Sequence, residues 1–189
     1  MSSVDQQYSD LTFRIAKPED VFQMHRVLEG IIQRMSVPSW FAPLSYDELI
    51  VLTGSAGFSI LALSSSDSLM SMSSQKQNEI VAMIIVRTLY LGKHLKEILE
   101  SVDISSENTA LLEVVAVREQ YRGRGLQVIL SNLAENELID RGFMTTLATV
   151  HPDNVFSLNN LFESGYRIIK KDEFYGGQPR FLVFKKLIK

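Results

Sequence analysis

The sequence contains no cysteine. That excludes disulfides, thiolate metal sites and a cysteine nucleophile. Histidine is almost as scarce: the three, His25, His94 and His151, are far apart in the chain and lack metal-ligand spacing, so no metal site is expected. No apolar run reaches the length that spans a bilayer; the longest, Ile80–Val86, is strand-sized. Met1–Asp10 is polar and carries acids, unlike a secretory signal, so a cytoplasmic protein off the membrane is expected. The formal net charge of -3 gives no general pull toward nucleic acid and leaves room only for a local basic patch. What remains is 189 residues with 46% hydrophobic and 22% charged content, enough to bury a substantial core in one domain.

Periodicity organises the chain as β-α-α-β-β-α-β-α-β-α-β-β. Leu11–Ala16 alternates as a strand. Pro18 suits the first turn of a helix running through Arg34, with Val21, Met24, Leu28 and Ile31 at helical spacing. Pro38, Trp40 and Pro43 punctuate a loop, and Ser45–Leu52 is a short helix. Phe58–Leu63 and Ile80–Tyr90 are strands on either side of a serine-rich stretch, 64–78, expected to be a flexible hairpin insertion without a binding role. His94–Ser101 is a short helix. Leu111–Val117 is a strand, and Leu126, Ile129, Leu130, Leu133 and Leu138 mark a helix that Gly142 ends. Phe143–Val150 is a strand, Asn154–Ser164 a helix stopped by Gly165, and Tyr166–Phe174 with Arg180–Leu187 a hairpin around Gly176-Gly177. With no repeat and no internal boundary, residues 1–189 are expected to form one domain.

The informative stretch is Leu111–Gly125, LLEVVAVREQYRGRG. A strand feeds a glycine turn and a helix begins at once. Gly123 and Gly125 put no Cβ between the backbone and a ligand. The helix N-terminus offers unpaired N–H groups and partial positive charge, a ready site for phosphate, and Arg122 and Arg124 add cationic side chains. The Walker loop is excluded, because no Lys-Ser or Lys-Thr follows these glycines. The dinucleotide fingerprint fails at Val128, where it requires glycine. A strand–turn–helix corner whose glycines serve only the turn is the remaining alternative.

Gln120-Tyr121-Arg122-Gly123-Arg124-Gly125 matches Q/R-x-x-G-x-G/A, and in this the chain resembles the GNAT superfamily of N-acetyltransferases. The resemblance runs from Leu111 to Leu187, through the following helix, strand Phe143–Val150, Asn154, Ser157 and Gly165-Tyr166. Leu11–Tyr90 agrees in element order only. It implies an α/β (α+β) fold with a mixed, splayed sheet of about seven strands flanked by helices on both faces. It also implies acetyl-coenzyme A as acyl donor. The pyrophosphate would lie against backbone N–H groups of Arg122–Leu126, with Gln120 in the same turn. The pantetheine arm would pair with main-chain groups of Val115 and Val117. Asn154 and Ser157 stand where the cofactor arm is often contacted, though Asn154 also suits a helix cap and Ser157 close packing.

Glu113 is the expected general base. Leu112, Val114 and Ala116 read as one strand face, and Glu113, Val115 and Val117 as the other. A carboxylate in an apolar central strand is costly unless paired or functional. An amine must lose a proton before attacking a thioester, and a carboxylate whose pKa is lifted by burial can take it. The alternatives are a salt bridge to Lys or Arg, or a strand face open to solvent. The family often has a tyrosine general acid four residues before the glycine that ends the last helix; here that residue is Leu161. Tyr175, beside Gly176-Gly177, is a substitute acid or a turn residue, and Tyr166 reads as core packing. His151 reads as structural or solvated. Trp40 and Phe41 match the region that shapes the acceptor pocket, and Arg180 either meets an acidic acceptor or sits on the surface. The expected activity is acetyl transfer to an amine in a ternary complex, with a backbone N–H at the strand splay, that of Val115, stabilising the oxyanion. A longer acyl donor, or a coenzyme A-binding sensor without turnover, are the alternatives. The acceptor is unspecified, and the family's frequent homodimers leave a homodimer open.

Overall fold

The computed structural model describes residues 8–42, 44–65 and 78–188. Among these residues seven strands form one sheet: β1 (Leu11–Ile15), β2 (Gly57–Ser65), β3 (Asn78–Arg87), β4 (Thr109–Val117), β5 (Thr145–Val150), β6 (Arg167–Phe174) and β7 (Gln178–Lys186). Their order is β1-β2-β3-β4-β5-β7-β6. Only the central β4–β5 pair is parallel; its two strands are joined by a helical crossover, as parallel neighbours require. The expected mixed sheet is therefore present. Of the serine-rich stretch, Ser64, Ser65 and Asn78 are strand ends in β2 and β3, and 66–77 lie outside the described residues.

Among the described residues five α-helices cover the sheet: α1 (Val21–Gln33), α2 (Tyr46–Thr53), α3 (Lys93–Ser101), α4 (Leu126–Asp140) and α5 (Val155–Glu163). On one face Leu126, Leu130, Ala134 and Leu138 of α4, with Leu158 and Leu161 of α5, pack on Ala110, Leu112, Ile84 and Ala148. On the other, Met24, Leu28 and Ile31 of α1 and Leu49 and Leu52 of α2 cover Leu61, Met83, Ile85 and Val114. Leu95, Ile98 and Leu99 of α3 pack on Leu111, Leu147 and Leu182. Leu111 alternates with Ala110 and Leu112, so α3 lies on the α1/α2 side. None of the described helices is long and apolar enough to cross a membrane.

Two strands start later than the sequence pattern predicts, for one reason. After α4, Gly142 takes φ 87°, its N–H donates to Ile139 (3.0 Å), and the Phe143 N–H donates back to Leu138 (2.9 Å). After α5, Gly165 at φ 89° and the Tyr166 N–H to Leu161 bond (2.9 Å) repeat the arrangement. The residue after each glycine thus closes a helix end, which uses the N–H a strand would need. Pro18 begins a 3-10 turn, Pro18–Asp20, rather than α1 itself. β3 stops at Arg87 because Thr88 and Leu89 both donate to the Ala56 carbonyl.

Candidate active site

The sheet opens between β4 and β5. Their parallel pairing covers Thr109–Leu112 and Thr145–Ala148 and goes no further. At the same point β4 carries a bulge: Val86 pairs Leu112 while Ile85 pairs Val114, leaving Glu113 without a partner. A bulge bends its strand and re-aims a side chain. Glu113 is that residue here, and β4 leaves β5 just beyond it. The bulge corrects the face expectation. Leu112 packs on the α4 side with Val115 and Val117, whereas Val114 and Ala116 pack on the α1 side.

Beyond the bulge the Arg118 N–H donates to Val81 (2.9 Å), in register with Val117 opposite Ala82 and Val115 opposite Ile84. Bonded and non-bonded pairs alternate in an antiparallel ladder. The main-chain groups of Val115 and Val117 therefore point away from β3, into the gap that β5 has vacated.

The turn after β4 contains a 3-10 segment, Glu119–Tyr121, then Gly123 at φ 74° and Gly125 at φ 72°. Gly125 is the N-cap of α4 and no side chain caps the helix. The first bond into the helix is from the Ile129 N–H to Gly125 (3.2 Å), which leaves the N–H groups of Leu126, Gln127 and Val128 without helical acceptors. A Cβ on Gly123 would enter open space. Unpaired N–H groups around a cradle that a side chain would fill suit a phosphate or pyrophosphate.

The two arginines of the turn divide their work. Arg124 pairs with Asp10 through both nitrogens (2.7 and 3.0 Å) and lies against the rings of Tyr8 and Tyr121. The Tyr8 hydroxyl donates to the Arg124 carbonyl. Its guanidinium therefore ties the segment before β1 to the turn, a use that no local pattern in the sequence announces. Gln120 and Arg122 are exposed. Arg122 lines a cleft of about 310 Å³ with Arg26, Arg34 and Arg118.

A cavity at the opening brings together Trp40, Phe41, Glu113, Val115, Asn154, Ser157, Leu161 and Arg180. Asn154 caps α5 by accepting from the Ser157 N–H (3.2 Å), so the capping role is realised. Gln127, missed in the sequence, donates to the Ser157 hydroxyl (3.3 Å) and accepts from Asn160 (2.9 Å). These groups fix the wall between α4 and α5.

The Glu113 side chain is 5% exposed and ion-paired to the Arg87 Nε. Burial pushes its pKa up, and the hydrogen bond and charge of Arg87 partly oppose that. The salt-bridge alternative is thus present, yet desolvation prevails. Arg87 ends β3 one residue past the partner of Leu112; its position was readable in the sequence, but its pairing required the bulged register. Tyr175 takes φ 50° in the β6–β7 turn and shares a 2.9 Å hydrogen bond with Thr149. Although the residue as a whole is 43% exposed, desolvation of its phenol first, and then the charge of Glu113, push its pKa up.

Arg180 is 2% exposed, which corrects the surface alternative; Leu161, also buried, presents no acid to the cavity. Tyr166 is core, as expected: its hydroxyl accepts from Thr146 (2.6 Å) and donates to the buried Glu135 (2.9 Å), and Lys185 completes the network on Glu135 (2.5 Å). Burial and Glu135 drive the Tyr166 pKa upward. His151 is buried and accepts the Asp153 N–H (3.2 Å), a structural role. Among the described residues no cluster of three or more His, Asp or Glu could hold a metal ion.

Comparisons with known proteins agree with this geometry. Curated proteins gave no match. Among solved structures, the ribosomal-protein-S18-alanine N-acetyltransferase from Escherichia coli is similar at TM-score 0.63 and 15% identity, covering 95% of each chain. A GCN5-related N-acetyltransferase from Kribbella flavida aligns at TM-score 0.65 and 14% identity, over 95% of this chain and 99% of that one. A GNAT superfamily phosphinothricin acetyltransferase from Sinorhizobium meliloti, in complex with acetyl-CoA, aligns at TM-score 0.64 and 12% identity, over 94% and 89%. At such identities these likenesses establish the fold. The family model for the acetyltransferase (GNAT) family matches residues 39–166, most of the chain, with the glycine turn and every lining residue of the cavity except Arg180; the chain belongs to the GNAT acetyltransferase family, whose acyl donor is acetyl-CoA.

Proposed function

We propose that the protein transfers an acetyl group from acetyl-CoA to an amine by direct attack, with Glu113 as general base. The observation that carries this reading is the placement of Glu113. It is a buried carboxylate on a bulge at the mouth of the β4–β5 opening, beside the free main-chain edge of Val115 and Val117. In the step, the amine nitrogen bonds to the thioester carbonyl carbon and its surplus proton passes to Glu113, directly or through water. The carbon–sulfur bond then breaks, and coenzyme A departs as thiolate. Thiols ionise near pH 8.5, so this departure tolerates the absence of a tyrosine at 161. The N–H of Val115 is the donor assigned to the developing oxyanion. The glycine turn and the N-terminus of α4, with Gln120 and Arg122–Leu126, receive the pyrophosphate, and Asn154 and Ser157 border the arm.

A coenzyme A sensor is the second reading, favoured by the Arg87 ion pair that partly satisfies Glu113. An amine panel with acetyl-CoA, assayed by thiol release, separates the two. Transfer to at least one amine is expected, with turnover falling by ~10²-fold or more in Glu113→Gln and donor affinity little changed. Equal turnover in Glu113→Gln, with chemistry rate-limiting, refutes the base assignment. Donor binding without transfer to any amine favours the sensor.

A further inference from the structure

Arg180 is an arginine buried without an acid. On β7 it stands across from Asp172 of β6, but that carboxylate lies 2.8 Å from Lys170 and 3.4 Å from His94. Among the described residues no carboxylate forms an ion pair with Arg180. Its two terminal nitrogens donate to the carbonyls of Trp40 and Ser39 (both 2.8 Å), and its charge lies 5.4 Å from the Tyr175 ring centroid. Its Nε is buried and has no hydrogen-bond partner. Two carbonyl dipoles and a ring compensate a desolvated cation poorly, and an orphaned donor adds to the cost.

This guanidinium lines the same cavity as Glu113. A carboxylate is the group that best completes it, because the planar fork offers donors in carboxylate geometry. The anionic groups of acetyl-CoA are phosphates, for which the turn at the start of α4 is the fitted site, and its pantetheine arm is uncharged. An anion at Arg180 must therefore come from the other substrate. Resting on the reading that this cavity admits an amine acceptor, we infer that the acceptor carries a carboxylate, and that Arg180 recognises it. Arg180 is then a specificity-determining residue. Its bonds to Ser39 and Trp40 couple recognition to the position of the Trp40–Phe41 wall.

The test uses the full chain and a matched panel: aliphatic amino acids with different spacings between amine and carboxylate, each with its carboxamide and its decarboxylated amine. At least one amino acid should exceed its carboxamide in kcat/KM by ~10²-fold, the scale of an unpaired charge in a polar site. In Arg180→Met and Arg180→Lys that ratio should collapse to about threefold or less, mainly through KM. Calorimetric binding of N-acetylated amino acids and N-acetylated carboxamides to the protein saturated with coenzyme A reads the same preference without turnover. Amine transfer with no carboxylate preference in the wild type overturns this inference and leaves the acetyltransferase reading intact. A preference that survives both substitutions overturns the assignment to Arg180 and makes it only an anchor for the Ser39–Trp40 carbonyls. Carboxylate-selective binding that Arg180→Met abolishes, without transfer to any amine, upholds recognition and defeats the transfer reading. Absence of both transfer and selective binding overturns the two together. If one variant fails to fold, the other carries the assignment to Arg180, and the wild-type panel decides the carboxylate preference in either case.

Discussion

Gly123→Ala separates the role of the glycine turn in folding from its role in holding the donor. Gly123 has φ 74°, and a methyl group added to its Cα would meet nothing within 4 Å, so alanine meets no clash and bears only left-handed strain, about 1–2 kcal/mol. For a chain of this length each kcal/mol moves the melting temperature by about 2–4 °C, so a drop of about 2–8 °C is expected without ligand. Gly142 is the control. It has φ 87° and equally open surroundings, but sits at the far end of α4, about 22 Å along the helix from its start. Gly142→Ala should show a comparable drop. Acetyl-CoA at a hundred times its Kd stabilises the protein by about 2.7 kcal/mol, a rise of about 5–11 °C on the same scale. Wild type and Gly142→Ala should both show that rise, measured by differential scanning fluorimetry across a donor titration. Gly123→Ala should lose most of it, because the methyl group occupies the phosphate cradle. If Gly123→Ala were stabilised as much as Gly142→Ala, the turn would be structural and the proposed donor site wrong.

Other expectations follow from the charged and phenolic groups. Arg87 lowers the Glu113 pKa against burial, so Arg87→Met should move the rising limb of the pH–rate profile to higher pH; an unmoved limb would show that Glu113 does not set it. The sign for stability is the reverse of a usual acid. A carboxyl raised in the folded state contributes stability that is full below pH ~4.5 and is lost as pH rises through its folded value, and Glu113→Gln should remove that part of the pH dependence in urea titrations. Tyr166→Phe should cost about 1–3 kcal/mol by depriving Glu135 and Thr146 of a buried partner, while turnover stays within roughly tenfold; a larger loss of turnover in folded protein would make Tyr166 catalytic. Tyr175→Phe should also keep turnover within roughly tenfold, and a loss beyond a hundredfold would make Tyr175 the general acid.

The turn and its flanking elements were legible because glycine spacing and helix period are local signals. Gly142 and Gly165 announced two helix ends, although the sequence pattern did not show that Phe143 and Tyr166 would close them. The bulge at Glu113 was hidden because Leu111–Val117 is apolar on both faces. A one-residue slip in such a strand exchanges valine for valine and leaves no mark in the alternation. Arg180 was ambiguous because its burial depends on Ser39 and Trp40, distant in the chain by 141 and 140 residues. Glu135 was missed for a similar reason: its partner Lys185 lies 50 residues on, and no periodicity encodes that meeting.

The bulge gives β4 one residue more than its neighbour β3 can pair. Glu113 is therefore supernumerary to the ladder, and its side chain can be exchanged without breaking a rung. Removing the residue altogether is a different operation from replacing it. A deletion at 113 would restore uninterrupted antiparallel register with β3 and take away the bend that carries β4 from β5. The opening is thus written into the chain as a count, one residue beyond what a regular ladder would hold, and not as the chemistry of any one side chain. A lineage can then change the acid at this position, or lose it, and still inherit the cleft.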